Sequence, residues 1–326
     1  MKLRVTLFAL CLTGAVSALA VEPPAPMSRA EFDRTMQEIS NWGRWGKDDE
    51  LGTLNLITPK VRKKAARLVK RGTSVSLALE LNKRKNDLNP NPFEHQLQTQ
   101  EFGGHVVAGD QYAVQYHGFA HSHMDGLPHF AHKGFMYNGV PFDSLQATGA
   151  PRLGIENAGV AGVFTRGVLV DVPWLLGKPY MEPGTAITAA DLEAWERKTG
   201  VTVGPGDVLL VRTGRWVKAQ ADPDWFFIDK AAGAHASLAT WLKARDVAMI
   251  GSDGVSDVMP SGVEGLANPL HALLLVGLGM PILDNLDLEA LAEKVAQQKR
   301  QTFLFVAAPL RVPGGTGSPL NPLAVF

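Results

Sequence analysis

A chain of 326 residues, 45% hydrophobic, is long enough to bury a large core, and its 32 basic and 32 acidic side chains leave no charge excess to recommend nucleic acid. Its single cysteine, Cys11, falls in an N-terminal leader, so the mature protein is expected to lack disulfides, thiolate nucleophiles and cysteine-held metals. Any metal must then be bound by nitrogen and oxygen.

Residues 1–20 read as a secretory signal. Lys2 and Arg4 precede an apolar run that ends in Ala18-Leu19-Ala20, the small-x-small pattern of a cleavage site. The run is shorter than the roughly 20 residues of a spanning helix, and no second hydrophobic span follows. Loss of Lys2 and Arg4 leaves a net charge of −2. The expectation is a single domain over 21–326, periplasmic or secreted, with no membrane anchor in its mature form. No serine- or glycine-rich linker, charge block or repeat marks an internal boundary.

Residues 21–30 are an extended leader. The glycine- and tryptophan-rich stretch 41–55 follows, where Trp42 and Trp45 either clamp the segment to the body or line a pocket. Thr58 as N-cap, Pro59 at the first helical position and an apolar stripe at Val61, Ala65, Leu68 and Val69 predict a helix that Gly72 can end. Residues 73–81 alternate like a strand.

In the second half, the apolar β-forming runs 167–172, 207–213, 247–252 and 302–308 predict buried strands. Thr188 with Asp191 three positions on opens a helix that Gly200 closes, and 234–245, 269–277 and 286–299 carry helical periodicity. The sum is an α/β or α+β domain with a mostly buried sheet. No G-x-S-x-G elbow supports a serine nucleophile, and "GGTGSP" (314–319) reads as a terminal loop and not a phosphate-binding one.

The chemistry concentrates in 117–132, "HGFAHSHMDGLPHFAH", which holds five of the nine histidines. His117, His121, Asp125 and His129 are spaced for one face of a helix, but Gly118, Gly126 and Pro128 oppose it. Glycine costs about 1 kcal/mol and an interior proline about 3. The better expectation is a strand over 113–125 that puts His117, Phe119, His121, His123 and Asp125 on one face, with a turn at Gly126-Leu127-Pro128 returning His129. Imidazoles beside a carboxylate suit Zn²⁺ or Mn²⁺, one ion or two. Solvated or individually bonded histidines are the alternative.

"HSHMDGLPHF" resembles the signature of the cyclase-like metal-dependent hydrolases, the family of bacterial kynurenine formamidase and isatin hydrolase, whose motif runs H-x-G-T-H-x-D-x-P-x-H. His123, Asp125 and His129 fall on its second histidine, aspartate and last histidine. His132 matches a histidine used in acid–base chemistry by the formamidase branch. Phe119 stands where the motif's first histidine would be, so His121, or else His117, is the expected replacement ligand. Segments 41–55, 206–216, 250–262 and 271–291 resemble the longer, secreted branch. In the last of these His271 aligns with a distal metal-binding histidine, and Asp284 stands in place of a glutamate. Asp253 and Asp257 read as turn or capping residues.

The resemblance implies a swivelling β/β/α domain, assembled as a homodimer or larger homo-oligomer. It implies a hydrolase that opens a small, often aromatic, cyclic amide, formamide or lactone with metal-activated water. His129 then serves as ligand or as base, and His129 or His132 shuttles the proton. Trp42, Trp45 and Phe119 are candidates to stack on the substrate ring. An exported metal-binding protein without turnover, or a metal-dependent lyase or cyclase, would use the same cluster differently.

Overall fold

The computed structural model describes residues 24–326. The expected signal peptide and Cys11 lie outside the described residues. In chain order the strands are β1 (Ser74–Ser76), β2 (Glu94–Phe102), β3 (His105–Ala113), β4 (His123–Asp125), β5 (Val163–Asp171), β6 (Ala186–Ile187), β7 (Val208–Arg212), β8 (Gly233–Ala234), β9 (Met249–Ser252), β10 (Ile282–Asp284), β11 (Thr302–Ala307), β12 (Gly317–Pro319) and β13 (Leu323–Val325). The helices are α1 (Arg29–Ile39), α2 (Pro59–Ala66), α3 (Glu156–Ala161), α4 (Val172–Leu176), α5 (Ala189–Thr199), α6 (Arg215–Ala221), α7 (Leu238–Ala244), α8 (Pro269–His271) and α9 (Glu289–Gln298).

Nine of the described strands form one mixed sheet in the order β1-β13-β11-β5-β7-β9-β10-β4-β12. Its centre, β5, β7, β9 and β10, is parallel, and β4 and β12 extend it antiparallel. The apolar runs expected as buried strands are β5, β7 and β9 of this centre, and β11, which pairs antiparallel with β5. Val168, Leu169, Val170, Leu209, Leu210, Met249 and Ile250 lose nearly all contact with solvent because apolar layers cover both faces. At about 25 cal/mol per Å² of apolar surface, such burial is the main term holding the sheet together.

Helix starts follow their local chemistry. The hydroxyl of Thr58 accepts the Val61 N–H ahead of α2, and Thr188 and Asp191 form a capping box on α5. Three expected helices are shorter or different. α2 ends at Ala66, before Gly72. The segment 234–245 is helical only over α7, because Gly233–Ala234 pairs with β6 and His235 turns the chain. The stretch 269–277 begins as α8 and continues as a π-helix over Ala272–Leu278, a form that often accompanies functional sites. The strand expected over 73–81 is ordered as β1 alone.

Two further elements correct the sequence reading. The "GGTGSP" loop contributes Gly317–Pro319 as edge strand β12, beside β4. A long hairpin, β2 and β3, joins nine residues to nine through Gly103–Gly104, both at positive φ, the geometry a two-residue hairpin turn needs. Every residue of both strands is exposed.

Candidate metal centre

The site is built on β4 and what packs against it. His123 and Asp125 are two residues apart, so both side chains leave the same face of the strand. Both are buried, and His123 Nε2 lies 3.3 Å from Asp125 Oδ1. The His123 Nδ1–H donates to the His121 carbonyl at 2.8 Å, which orients the ring so that Nε2 faces the carboxylate.

β10 runs antiparallel to β4 with Asp284 opposite His123. That register brings the aspartate in despite its short arm. The Ser256 hydroxyl donates to Asp284 Oδ1 at 2.9 Å, and Oδ2 lies 3.2 Å from His271 Nε2. His271 closes α8, with Nε2 also 3.4 Å from Asp125 Oδ2 and Nδ1 2.5 Å from Asp257 Oδ2. Asp257 accepts the backbone N–H groups of Leu270 and His271 as well, so one buried carboxylate caps α8 and sets the imidazole.

The strand expected over 113–125 does not form. β3 ends at Ala113 and β4 begins at His123, and between them the chain turns at Gly118, whose φ is +144. The carbonyls of this loop are taken by side chains and not by a neighbouring strand. Asn285 Nδ2 donates to Gly118 at 2.8 Å and to His121 at 3.2 Å, and Arg215 donates to Phe119 at 2.7 Å and to Asn285 Oδ1 at 2.5 Å. With the strand's alternation lost, the histidine that joins His123 is His117. Its Nδ1 lies 2.8 Å from Asp125 Oδ1, and its Nε2 meets Thr316 Oγ1 at 3.0 Å. His121, the nearer expectation, belongs to neither donor group.

Two sets of donor atoms therefore converge, each within 4.8 Å: His117, His123 and Asp125, and Asp125, His271 and Asp284. Asp125 belongs to both. Neither of its buried oxygens is in hydrogen-bonding geometry with a partner, nor is Nδ1 of His117. Buried carboxylate oxygens so placed, facing only imidazole nitrogens and another carboxylate, fit a divalent cation taking nitrogen and oxygen ligands.

Charge follows the same logic. Burial alone would raise Asp125, but His123, His117 and His271 outweigh it and hold the carboxyl well below its usual range. Burial alone would lower His271 and His123. Asp284, Asp125 and Asp257 overcome it at His271, and Asp125 leads at His123, so both are raised. Protons on these rings balance the carboxylates where a cation would do so.

The 3₁₀ turn Leu127–His129 returns His129, whose ring stacks on His117 with centroids 3.8 Å apart and whose Nε2 is 3.8 Å from Asp125 Oδ1. Burial pushes it down to about 4, so it stays unprotonated near neutral pH and not poised near 6.5. His132 goes elsewhere: its Nε2 is 3.1 Å from Asp33 Oδ1 on α1 and its ring stands edge-on to Phe32. Trp42 donates to the Val276 carbonyl at 2.7 Å, and Trp45 lies under Arg44, so this segment clamps onto the π-helix. Phe119 packs edge-on against Phe227. Asp253 accepts the N–H groups of Thr213, Gly214 and Arg215 and is a loop anchor. Arg215 and Asn285 were not singled out from the sequence, where neither is next to the histidines.

Residues 57–257, well over half of the chain, match the family described as Cyclase, putative cyclase. A solved structure described as a novel cyclase is 33% identical, covering 89% of this chain and 99% of that one, with a TM-score of 0.81. A curated isatin hydrolase from Roseibium aggregatum is 30% identical over 152 residues, 44% of this chain and 54% of the relative, so the matched region spans about half the length of that relative. Isatin hydrolase A from Ralstonia solanacearum shares the fold, with a TM-score of 0.54 at 20% identity over 82% of this chain and 97% of that one.

Proposed function

Because this chain belongs to the putative cyclase family, we propose that it is a metal-dependent hydrolase that opens a small cyclic amide, formamide or lactone. The observation that carries this reading is Asp125, buried and without a hydrogen-bond partner, shared between two donor groups. Similarity to an isatin hydrolase supports the substrate class.

His117 and His123 with Asp125 would hold one cation, and Asp125, His271 and Asp284 a second. Zn²⁺ or Mn²⁺ suits the nitrogen and oxygen set. A divalent cation bound there supplies a Lewis acid for the substrate carbonyl and lowers the pKa of water toward about 7. The chain's own residues do the rest. His123 and His271 are fixed in orientation by the His121 carbonyl and by Asp257. His129, unprotonated and beside Asp125, takes a proton from the attacking water and returns it to the leaving nitrogen or oxygen. Balance is simple: water adds across the C–N or C–O bond, and one proton passes through His129. His132, tied to Asp33, holds the turn onto α1.

The test is turnover of isatin, formanilides and small lactones before and after chelation, with Zn²⁺ or Mn²⁺ restored. Activity lost on chelation and regained with metal is expected, with one ¹⁸O from labelled water entering the product. Turnover that survives complete removal of metal overturns the reading, as does product without ¹⁸O. We further propose that the mature chain, 21–326, acts as a single exported domain and as a homo-oligomer.

A further inference from the structure

The ligand histidines differ in what holds them. His123 stands on β4 with Nδ1 on the His121 carbonyl, and His271 closes α8 with Nδ1 on Asp257. His117 has neither strand nor helix beneath it. It lies in the loop between β3 and β4, with its side chain 25% exposed against 2% for His123. The imidazole with the least support from its own main chain is therefore the one that most needs side chains to aim it.

Two hydroxyls do so. Nε2 of His117 lies 3.0 Å from Thr316 Oγ1. Thr316 is itself fixed, because its carbonyl accepts the N–H of Gly126, the residue after Asp125, at 2.8 Å. Its hydroxyl also bonds the Tyr116 hydroxyl, and Tyr116 Oη donates to the Gly317 carbonyl at 2.9 Å. The Tyr116 ring packs against both imidazoles of this donor group, with centroids 4.6 Å from His117 and 6.0 Å from His123.

A main-chain carbonyl can only accept, so Gly317 sets the direction of each bond that leads to it. Tyr116 gives its one phenolic proton to Gly317, and its oxygen accepts from Thr316. Thr316 has then given its own proton and accepts from His117. That requires the proton of His117 on Nε2, and it leaves Nδ1, 2.8 Å from Asp125 Oδ1, as the nitrogen for a cation.

We propose that Thr316 and Tyr116 are positioning residues whose hydroxyls, anchored on the Gly317 carbonyl, hold His117 in its Nε2–H form with Nδ1 turned to the metal. This rests on the metal-dependent reading and deepens it, by naming what aims the one ligand that no regular element carries. Without the hydroxyls the ring is free to turn toward solvent or to offer its other nitrogen. Loss of an outer partner of a ligand histidine typically weakens metal binding by about 10- to 100-fold.

The experiment titrates zinc by calorimetry into metal-free wild type, Thr316→Val, Thr316→Ser and Tyr116→Phe, with urea unfolding to check that each is folded. Nitrogen-15 NMR of labelled histidine in the zinc-loaded proteins reads which nitrogen of His117 is bound, its signals being those missing from His117→Gln. In wild type, His117 should bind zinc through Nδ1 and carry a proton on Nε2. Thr316→Val should weaken one zinc step by about 10- to 100-fold and leave the step that His271→Ala abolishes within about threefold. Thr316→Ser should come back to within about threefold of wild type, and Tyr116→Phe should fall between Thr316→Val and wild type. Zinc on Nε2 of His117 overturns the inference, as does wild-type affinity in both Thr316→Val and Tyr116→Phe. Equal weakening of both steps, or no recovery in Thr316→Ser, marks a merely structural role and overturns it too. The NMR result and Tyr116→Phe decide the matter even where Thr316→Val does not fold. Zinc bound as expected with no turnover of isatin, formanilides or lactones overturns the hydrolase reading and leaves this inference standing. A wild type that takes up no zinc overturns both.

Discussion

Gly317 lies across from Asp125 in the β12–β4 pair, and a Cβ built on it would come within 2.8 Å of His117 Cε1 and 2.5 Å of the Met124 carbonyl. Bare backbone here leaves the room in which the His117 ring reaches the carboxylate. Gly317→Ala should weaken zinc binding at the His117 group by about 10- to 100-fold and cost about 1–3 kcal/mol of stability from overpacking. Zinc titration monitored by calorimetry, alongside urea unfolding, checks both. Wild-type affinity in this variant would show that His117 does not need the space.

Asp125→Ala removes the carboxylate common to both donor groups and should abolish tight metal binding altogether. His271→Ala should lose one ion and keep the other. Metal content per chain by elemental analysis separates the cases, and two ions retained by Asp125→Ala would reject the shared-ligand arrangement.

Asp257 touches no proposed ion but holds His271 Nδ1 at 2.5 Å. Asp257→Asn should reduce metal affinity at the His271 group by about 10- to 100-fold, the usual effect of losing an outer partner of a ligand histidine. The His117 group should be unaffected. A two-step zinc titration in which only the weaker step moves is the expected result.

His235 reports on pH away from the centre. Its Nδ1 meets Ser237 Oγ at 2.9 Å, its Nε2 is buried without a partner, and burial lowers its pKa, with Asp257 opposing. A histidine whose folded value is depressed favours the neutral form, so the unfolded chain takes up the proton first as pH falls below about 6.5. Wild type should therefore lose stability relative to His235→Gln between pH 7.5 and 5.5, measured by urea unfolding. Parallel curves for the two proteins would exclude this source of acid sensitivity.

Leu97, Val106 and Tyr112 share one face of the β2–β3 hairpin and are 62%, 72% and 61% exposed. An isolated two-stranded hairpin is marginal in water, and a second copy is the cover proposed for it. Leu97→Lys with Val106→Lys should convert a homo-oligomer to monomer in light scattering after gel filtration. A wild-type protein that is already monomeric would remove the proposal.

The central strands were legible because β5, β7, β9 and β11 are continuous apolar runs, and α5 because Thr188 and Asp191 spell a capping box. His123 and Asp125 could be paired from alternation alone. His117 could not be preferred to His121, because that choice depends on Asn285 and Arg215, which come from distant parts of the chain and take the loop carbonyls away from any ladder. The hairpin escaped because β2 is rich in glutamine and the apolar residues Leu97, Val106 and Tyr112 are too scattered along the chain to make a periodicity, although Gly103-Gly104 was a usable turn signal. β12 escaped because three glycines in six residues read as loop, when one of them is there for its missing side chain.

The hold of Asn285 and Arg215 on the carbonyls of Gly118, Phe119 and His121 separates the spelling of that loop from the placing of its ends. Main-chain oxygens are the same whatever side chain they belong to, so Phe119, Ala120 and His121 can be exchanged without disturbing how either imidazole is aimed, while Gly118, at positive φ, and Ser122, whose hydroxyl bonds the Asn285 carbonyl, stay in place. The loop behaves as an interchangeable insert in a fixed frame, and redesigning what the enzyme accepts should begin at Phe119, Ala120 and His121, leaving the sheet untouched.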